Sequence, residues 1–170
     1  GLGDVYKRQV LEPAILAEEL GPFDATFHIP AFLEGGRITE NGIHYLNGIP
    51  VHNTEFGHDN IFGFSTSNLA KWIEEKSFGK IQAKNILHVK IKQLDMAFND
   101  EDGFESLLKF LSKLENNTSV VVDAKLPHHL EILASAIKVV SKEKRFLFRT
   151  AASFINSLSA LPTNPKCTAD

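Results

Sequence analysis

Three side chains in this sequence are suited to holding a small anion or a polyhydroxylated ligand: Arg37, Arg149 and Asp123. A guanidinium presents a planar donor fork that meets a carboxylate or phosphate with two parallel hydrogen bonds. Arg37 follows the pair Gly35-Gly36, which either lets backbone approach a ligand or serves as a turn. Arg149 ends an apolar run. Both are candidate anion anchors, with carbonyl capping or pairing to a local acid as the ordinary structural alternative. Asp123 closes the run Val120-Val121-Val122, where an ionised carboxylate needs partners or water. It can orient a ligand hydroxyl or cap the turn ahead of Pro127.

His52, Glu55 and His58 follow one another at three-residue spacing, with His44 nearby. Zinc requires three or four convergent ligands and a supporting shell. Pro50, Asn53 and Gly57 oppose the helix that would make these converge, so the expectation is loop-packing or surface histidines and no metal. Cys167 lies three residues from the end of the sequence and is the single cysteine, which removes both an internal disulfide and a plausible catalytic thiol. No Gly-x-Ser-x-Gly, Gly-x-x-x-x-Gly-Lys-Ser/Thr or Gly-x-Gly-x-x-Gly occurs. The chain thus lacks a nucleophile elbow and a glycine-rich phosphate cradle, and any nucleotide would be held elsewhere.

Strand and helix patterns alternate along the chain to position these residues. A helix over Leu11–Leu20 stops at Gly21-Pro22, and Phe23–Ile29 reads as a strand ending at Pro30. Leu69, Trp72 and Ile73 share one helical face, with Ser65, Thr66 or Ser67 as N-cap and an end near Gly79. Ile86–Ile91 reads as a strand. Phe104, Leu107, Leu108, Leu111 and Leu114 form the stripe of a helix whose positive end suits Asp100-Glu101-Asp102. Val120–Val122 is a short buried strand, Pro127 opens a helix with Leu130, Leu133, Ile137 and Val140 inward, and Phe146–Phe148 is a last strand before a helix over Ala151–Leu158.

Strands separated by helices imply a mainly parallel sheet with flanking helices, an α/β fold with Rossmann-like layers. Ligands gather at the carboxyl ends of such strands, which places Pro30, Lys92, Asp123, Arg149 and Thr150 at the expected edge. Residues 36–53 break the alternation with two Asn-Gly pairs, Asn41-Gly42 and Asn47-Gly48. Both central positions of a type I′ turn need positive φ, so the segment reads as an inserted antiparallel meander of three short strands near residues 37–52.

Composition narrows the function classes. The 170 residues carry 21 acidic and 18 basic side chains without a basic stripe, which argues against nucleic acid. No apolar run approaches the roughly 20 residues that span a bilayer, and there is no signal-peptide pattern. The default is a cytoplasmic protein without membrane contact. Residues 1–9 share no period with the segment that begins at Val10, and Asp4–Gln9 resembles a translated sequencing-library adapter. They are expected to be an artefact or a disordered leader, with a partial domain over 10–159 and a linker or truncated tail over 160–170.

The stretch from Pro30 to Ser67, with Pro30-Ala31-Phe32, Gly35-Gly36-Arg37 and Val51 to Asp59, resembles the substrate-binding N-terminal domain of the four-carbon acid sugar kinase family. The likeness continues through Val122-Asp123-Ala124, His129-Leu130 and Arg145 to Phe154, and covers Leu11 to about Leu158. It implies a two-domain enzyme that phosphorylates threonate, erythronate or related ketose acids, with ATP and Mg held by a C-terminal nucleotide-binding domain. On this sequence the resemblance makes Arg37 a substrate-carboxylate contact, and His44, Asp123, Arg149 and Ser153 weaker cleft-lining candidates. The family's Asp-Asp-x-Thr-Gly loop would precede Val10, so no catalytic base is assigned. A homodimer is a further expectation. The alternative from another class is a non-catalytic α/β module that binds a small anion or a protein.

Overall fold

The computed structural model describes residues 22–57, 65–151 and 157. The expected leader, the helix over Leu11–Leu20, His58, Ser153, most of the Ala151–Leu158 helix and the tail lie outside the described residues. A four-stranded sheet runs in the order β5-β6-β1-β7, built from β1 (Ala25–Ile29), β5 (Leu87–Val89), β6 (Thr118–Val122) and β7 (Phe146–Thr150). Every pairing in it is parallel. The separate antiparallel sheet contains β2 (Arg37–Glu40), β3 (Ile43–Leu46) and β4 (Ile49–Pro50). The expected α/β fold and inserted meander are both present.

One face of the parallel sheet carries Ala25, Phe27, Ile29, Val89, Val120 and Val122. Three helices cover it: α2 (Ile91–Asn99) with Leu94 and Ala97, α3 (Glu101–Ser112) with Leu107 and Leu111, and α4 (Pro127–Val140) with Leu130, Leu133 and Ile137. Phe27 stacks on Phe148 at 5.6 Å and meets the Phe146 ring edge-on at 5.0 Å, so aromatic packing seats β7 beside β1. The opposite face is mixed. Val121 packs with Leu69, Trp72 and Ile73 of α1 (Leu69–Lys76), while Thr26, His28 and Ser119 are buried polar positions of the same parity.

Three local expectations change. The N-cap of α1 is Asn68, whose side chain accepts from the Lys71 amide at 3.1 Å, in place of Ser65, Thr66 or Ser67. The expected strand over Ile86–Ile91 shortens to β5, because Ile91 opens α2; Lys92 therefore sits in a helical turn and not at a strand end. The helix α2 itself is an addition to the expected elements, although Leu94 and Ala97 have helical spacing. Its separation from α3 is abrupt. Asp100 caps α3 by accepting from the Gly103 amide at 2.6 Å, and a Cβ on Gly103 would fall 2.1 Å from the Met96 carbonyl oxygen. Only glycine permits that approach.

Candidate functional site

The meander is fastened across the carboxyl end of the parallel sheet. Asn41 and Gly42 have φ of 52° and 73°, and Asn47 and Gly48 have 50° and 81°, the backbone that Asn-Gly hairpin turns require. Immediately past β6, Ala124 pairs antiparallel with Thr39 through two backbone hydrogen bonds of 2.9 Å. The Asp123 carboxylate accepts from the Gly42 amide at 2.8 Å and from the Asn41 amide at 2.9 Å. Lys125 reaches Glu40 of β2 at 3.0 Å. On its other flank the hairpin is tied down by the His44 amide donating to the Ser67 carbonyl and the Leu69 amide donating to the Gly42 carbonyl.

Arg37 stands at the start of β2, where its amide and carbonyl exchange hydrogen bonds with Phe32. Gly36 makes that turn with φ of 72°. On the pleat, Arg37 shares a face with Thr39 and their cross-strand partners Leu46 and His44. Thr39 Oγ1 and His44 Nδ1 share a buried hydrogen bond of 2.9 Å. Burial first, and the neighbouring Arg37 charge second, lower the His44 pKa to about 4, against a smaller upward pull from the Ile38 backbone. His44 is thus a neutral imidazole at pH 7.

Arg149 lies inside β7 and not past its end, directly in register with His28 of β1. The two side chains share a sheet face. His28 is buried, its Nε2 has no hydrogen-bond partner among the described residues, and desolvation followed by the Arg149 charge lowers its pKa to about 4. Sequence reading passes over His28. Its signal is a lone polar ring in the apolar strand before Pro30, and only the register puts it beside Arg149.

Two arginine–histidine pairs stand near the carboxyl edge, Arg37 with His44 on the meander and Arg149 with His28 one residue before the ends of β7 and β1. Asp123 is placed at the same edge, with both oxygens on the Asn41-Gly42 turn. Burial raises its pKa above the ordinary carboxylate value, and the Gly42 and Asn41 amides oppose that rise. Ser153 lies outside the described residues.

His44 and His52 do not converge on a zinc position. Nδ1 of His44 is bonded to Thr39 and Nδ1 of His52 to Ser67 Oγ at 2.5 Å. Among the described residues the convergent set is instead Asp95, His128 and His129. Pro30, Lys90, Asp123 and Ala151 are the residues that follow the four parallel strands. No described helix is long and apolar enough to cross a membrane.

Comparison with known proteins places this edge in a family. A Haemophilus influenzae protein of the DUF1537 family superposes with a TM-score of 0.65 at 19% identity, over 86% of this chain and 32% of that one. A Salmonella typhimurium LT2 protein named as a candidate tRNA synthase gives 0.64 at 19% identity, over 86% and 31%. A Bordetella bronchiseptica DUF1537 protein, a domain-swapped dimer with bound citrate, gives 0.58 at 20% identity, over 81% and 30%. The chain spans about a third of the length of these structures. No curated protein matches it by sequence. Residues 10–158 match the family described as the sugar-binding N-terminal domain, and the chain belongs to that family, the N-terminal domain of the DUF1537, or four-carbon acid sugar kinase, proteins.

Proposed function

We propose that this chain holds the acid sugar in an ATP-dependent kinase acting on four-carbon acid sugars such as threonate, erythronate or related ketose acids. The observation that carries the reading is Arg37, fixed at the carboxyl edge on a meander that Asp123 and Ala124 clamp to β6. Its fork would take the substrate carboxylate, and Arg149 with His28 would offer a second polar contact. His44 stays neutral and fixed to Thr39, so it positions that face without adding a charge to it.

Phosphoryl transfer depends mainly on positioning and charge stabilisation. This chain's part is to bind and orient the acceptor. ATP and Mg would be supplied by a further, nucleotide-binding domain, and the parent would act in the cytoplasm as a homodimer. Citrate in the Bordetella protein supports a small polycarboxylate or acid sugar as the ligand class.

Calorimetric titration of the chain with threonate, erythronate and citrate tests the binding role. Saturable binding lost in Arg37→Ala supports it, and no binding of any acid overturns it. Transfer of phosphate from ATP by the full-length parent separates the kinase from the second reading, a non-catalytic small-anion or protein-binding module.

A further inference from the structure

Residues Asp123 to Leu126 form a short strap between β6 and α4, and each makes a tie. Asp123 holds the Asn41-Gly42 turn, Ala124 pairs with Thr39, and Lys125 binds Glu40. The rear of the strap rests on one side chain. Nδ1 of His129 accepts from the Lys125 and Leu126 amides at 3.2 and 3.1 Å. These amides lie at the start of α4, where Leu126 offers no capping oxygen of its own.

An imidazole nitrogen that accepts two amide hydrogens carries no proton, so the ring's proton sits on Nε2. That Nε2 donates to Asp95 Oδ1 of α2 at 2.8 Å. His128 Nε2 lies 2.7 Å from the same oxygen, and the two imidazole centroids are 4.2 Å apart. Three potential ligand atoms thus converge, yet zinc would need the lone pair where His129 holds its proton. Metal binding would cost both strap hydrogen bonds. The geometry fits a support, not a metal centre.

We propose that Asp95 and His129 are positioning residues for the sugar site: through the strap they fix the meander that carries Arg37. The inference rests on the functional reading above for its consequence, but its structural half is independent. The groups facing His129 are Asp95 from α2, His128 from α4 and Lys125 from the strap, and Lys125 is itself paired with Glu40 of β2. Protonation of Nδ1 would set a donor against two donors and release the strap. Burial holds the His129 pKa below its ordinary value, and the Asp95 bond pulls it up.

Amide hydrogen exchange and citrate titration of the full 170-residue chain, each followed against pH, test this. At pH 7, His129→Leu should speed exchange at Asn41 and Gly42 by about tenfold or more and weaken citrate binding. His129→Gln keeps an acceptor for the Leu126 amide without a titrating proton, so it should restore slow exchange and abolish the pH step. Asp95→Asn should move that step to lower pH. If His129→Leu does not fold, Asp95→Asn and His129→Gln still decide. A pH step that persists in His129→Gln and stays unmoved in Asp95→Asn overturns the proposal, as does stoichiometric zinc binding that protects the same amides. Exchange that changes as expected while no variant or parent binds citrate upholds the strap and counts against the sugar-site reading alone.

Discussion

Asp123 spans 82 residues of sequence to reach Asn41 and 81 to reach Gly42, and each of its oxygens takes one backbone amide of that turn. This contact joins the carboxyl end of β6 to the insertion that carries Arg37. Replacing Asp123 by Asn leaves one oxygen and turns an amide donor toward a backbone donor. Asp123→Asn should lose about 1–3 kcal/mol in urea unfolding and weaken acid binding in proportion. Full stability in that variant would show that the turn is held by other contacts.

Gly42 and Gly48 offer an internal comparison. Both have positive φ, 73° and 81°, but a Cβ on Gly42 would lie 2.6 Å from the His88 ring and one on Gly48 meets nothing within 4 Å among the described residues. Gly48→Ala should cost about 1 kcal/mol for backbone strain alone. Gly42→Ala should cost more, and adding His88→Ala should recover the steric excess but not the strain. Thermal melts of the single and double variants measure the difference.

Arg37→Ala in the full-length parent should raise KM for the acid sugar by about 10- to 100-fold while leaving ATP affinity nearly unchanged. Arg37→Lys should recover only part of that, because an ammonium cannot reproduce the paired fork. Steady-state kinetics with each substrate varied in turn gives the split. Parent-like kinetics in both variants would make Arg37 structural.

His28 and His44 set an acid limit on stability. Both have folded pKa values of about 4 against an ordinary 6.5, so between those values the unfolded chain binds protons that the folded chain does not. Stability is therefore complete above pH 6.5 and falls as pH drops toward 4, by up to about 3 kcal/mol for each ring. Urea midpoints from pH 7 to pH 4 should show this slope. His28→Leu should remove its own share of that slope, with His44 and His129 supplying the rest, without lowering stability at pH 7, since Nε2 has no partner to lose among the described residues.

Much of the architecture is legible in local signals. The two Asn-Gly pairs specify hairpin turns because the backbone itself demands positive φ there, and the meander forms where they stand. The stripe from Leu107 to Leu111 and the run Val120-Val121-Val122 report burial through their period alone. The boundary at Ile91 is less legible, since β-branched Ile86 and Ile91 suit a strand while the packing of Leu94 and Ala97 against α3 and α4 favours a helix.

The sequence by itself determined which residues could bind an anion, Arg37 and Arg149 above all, because that capacity belongs to the side chain. It also determined most of the succession of strands and helices, α2 excepted, because that depends on periods a few residues long. The tertiary structure alone decided that Arg149 faces His28, that Asp123 closes on the Asn41-Gly42 turn, and that His129 supports the strap from behind. Those relations follow from the order β5-β6-β1-β7 and the seating of the meander on it. Sheet order is set by burying the helices' apolar faces together, a many-body outcome that no local spacing encodes.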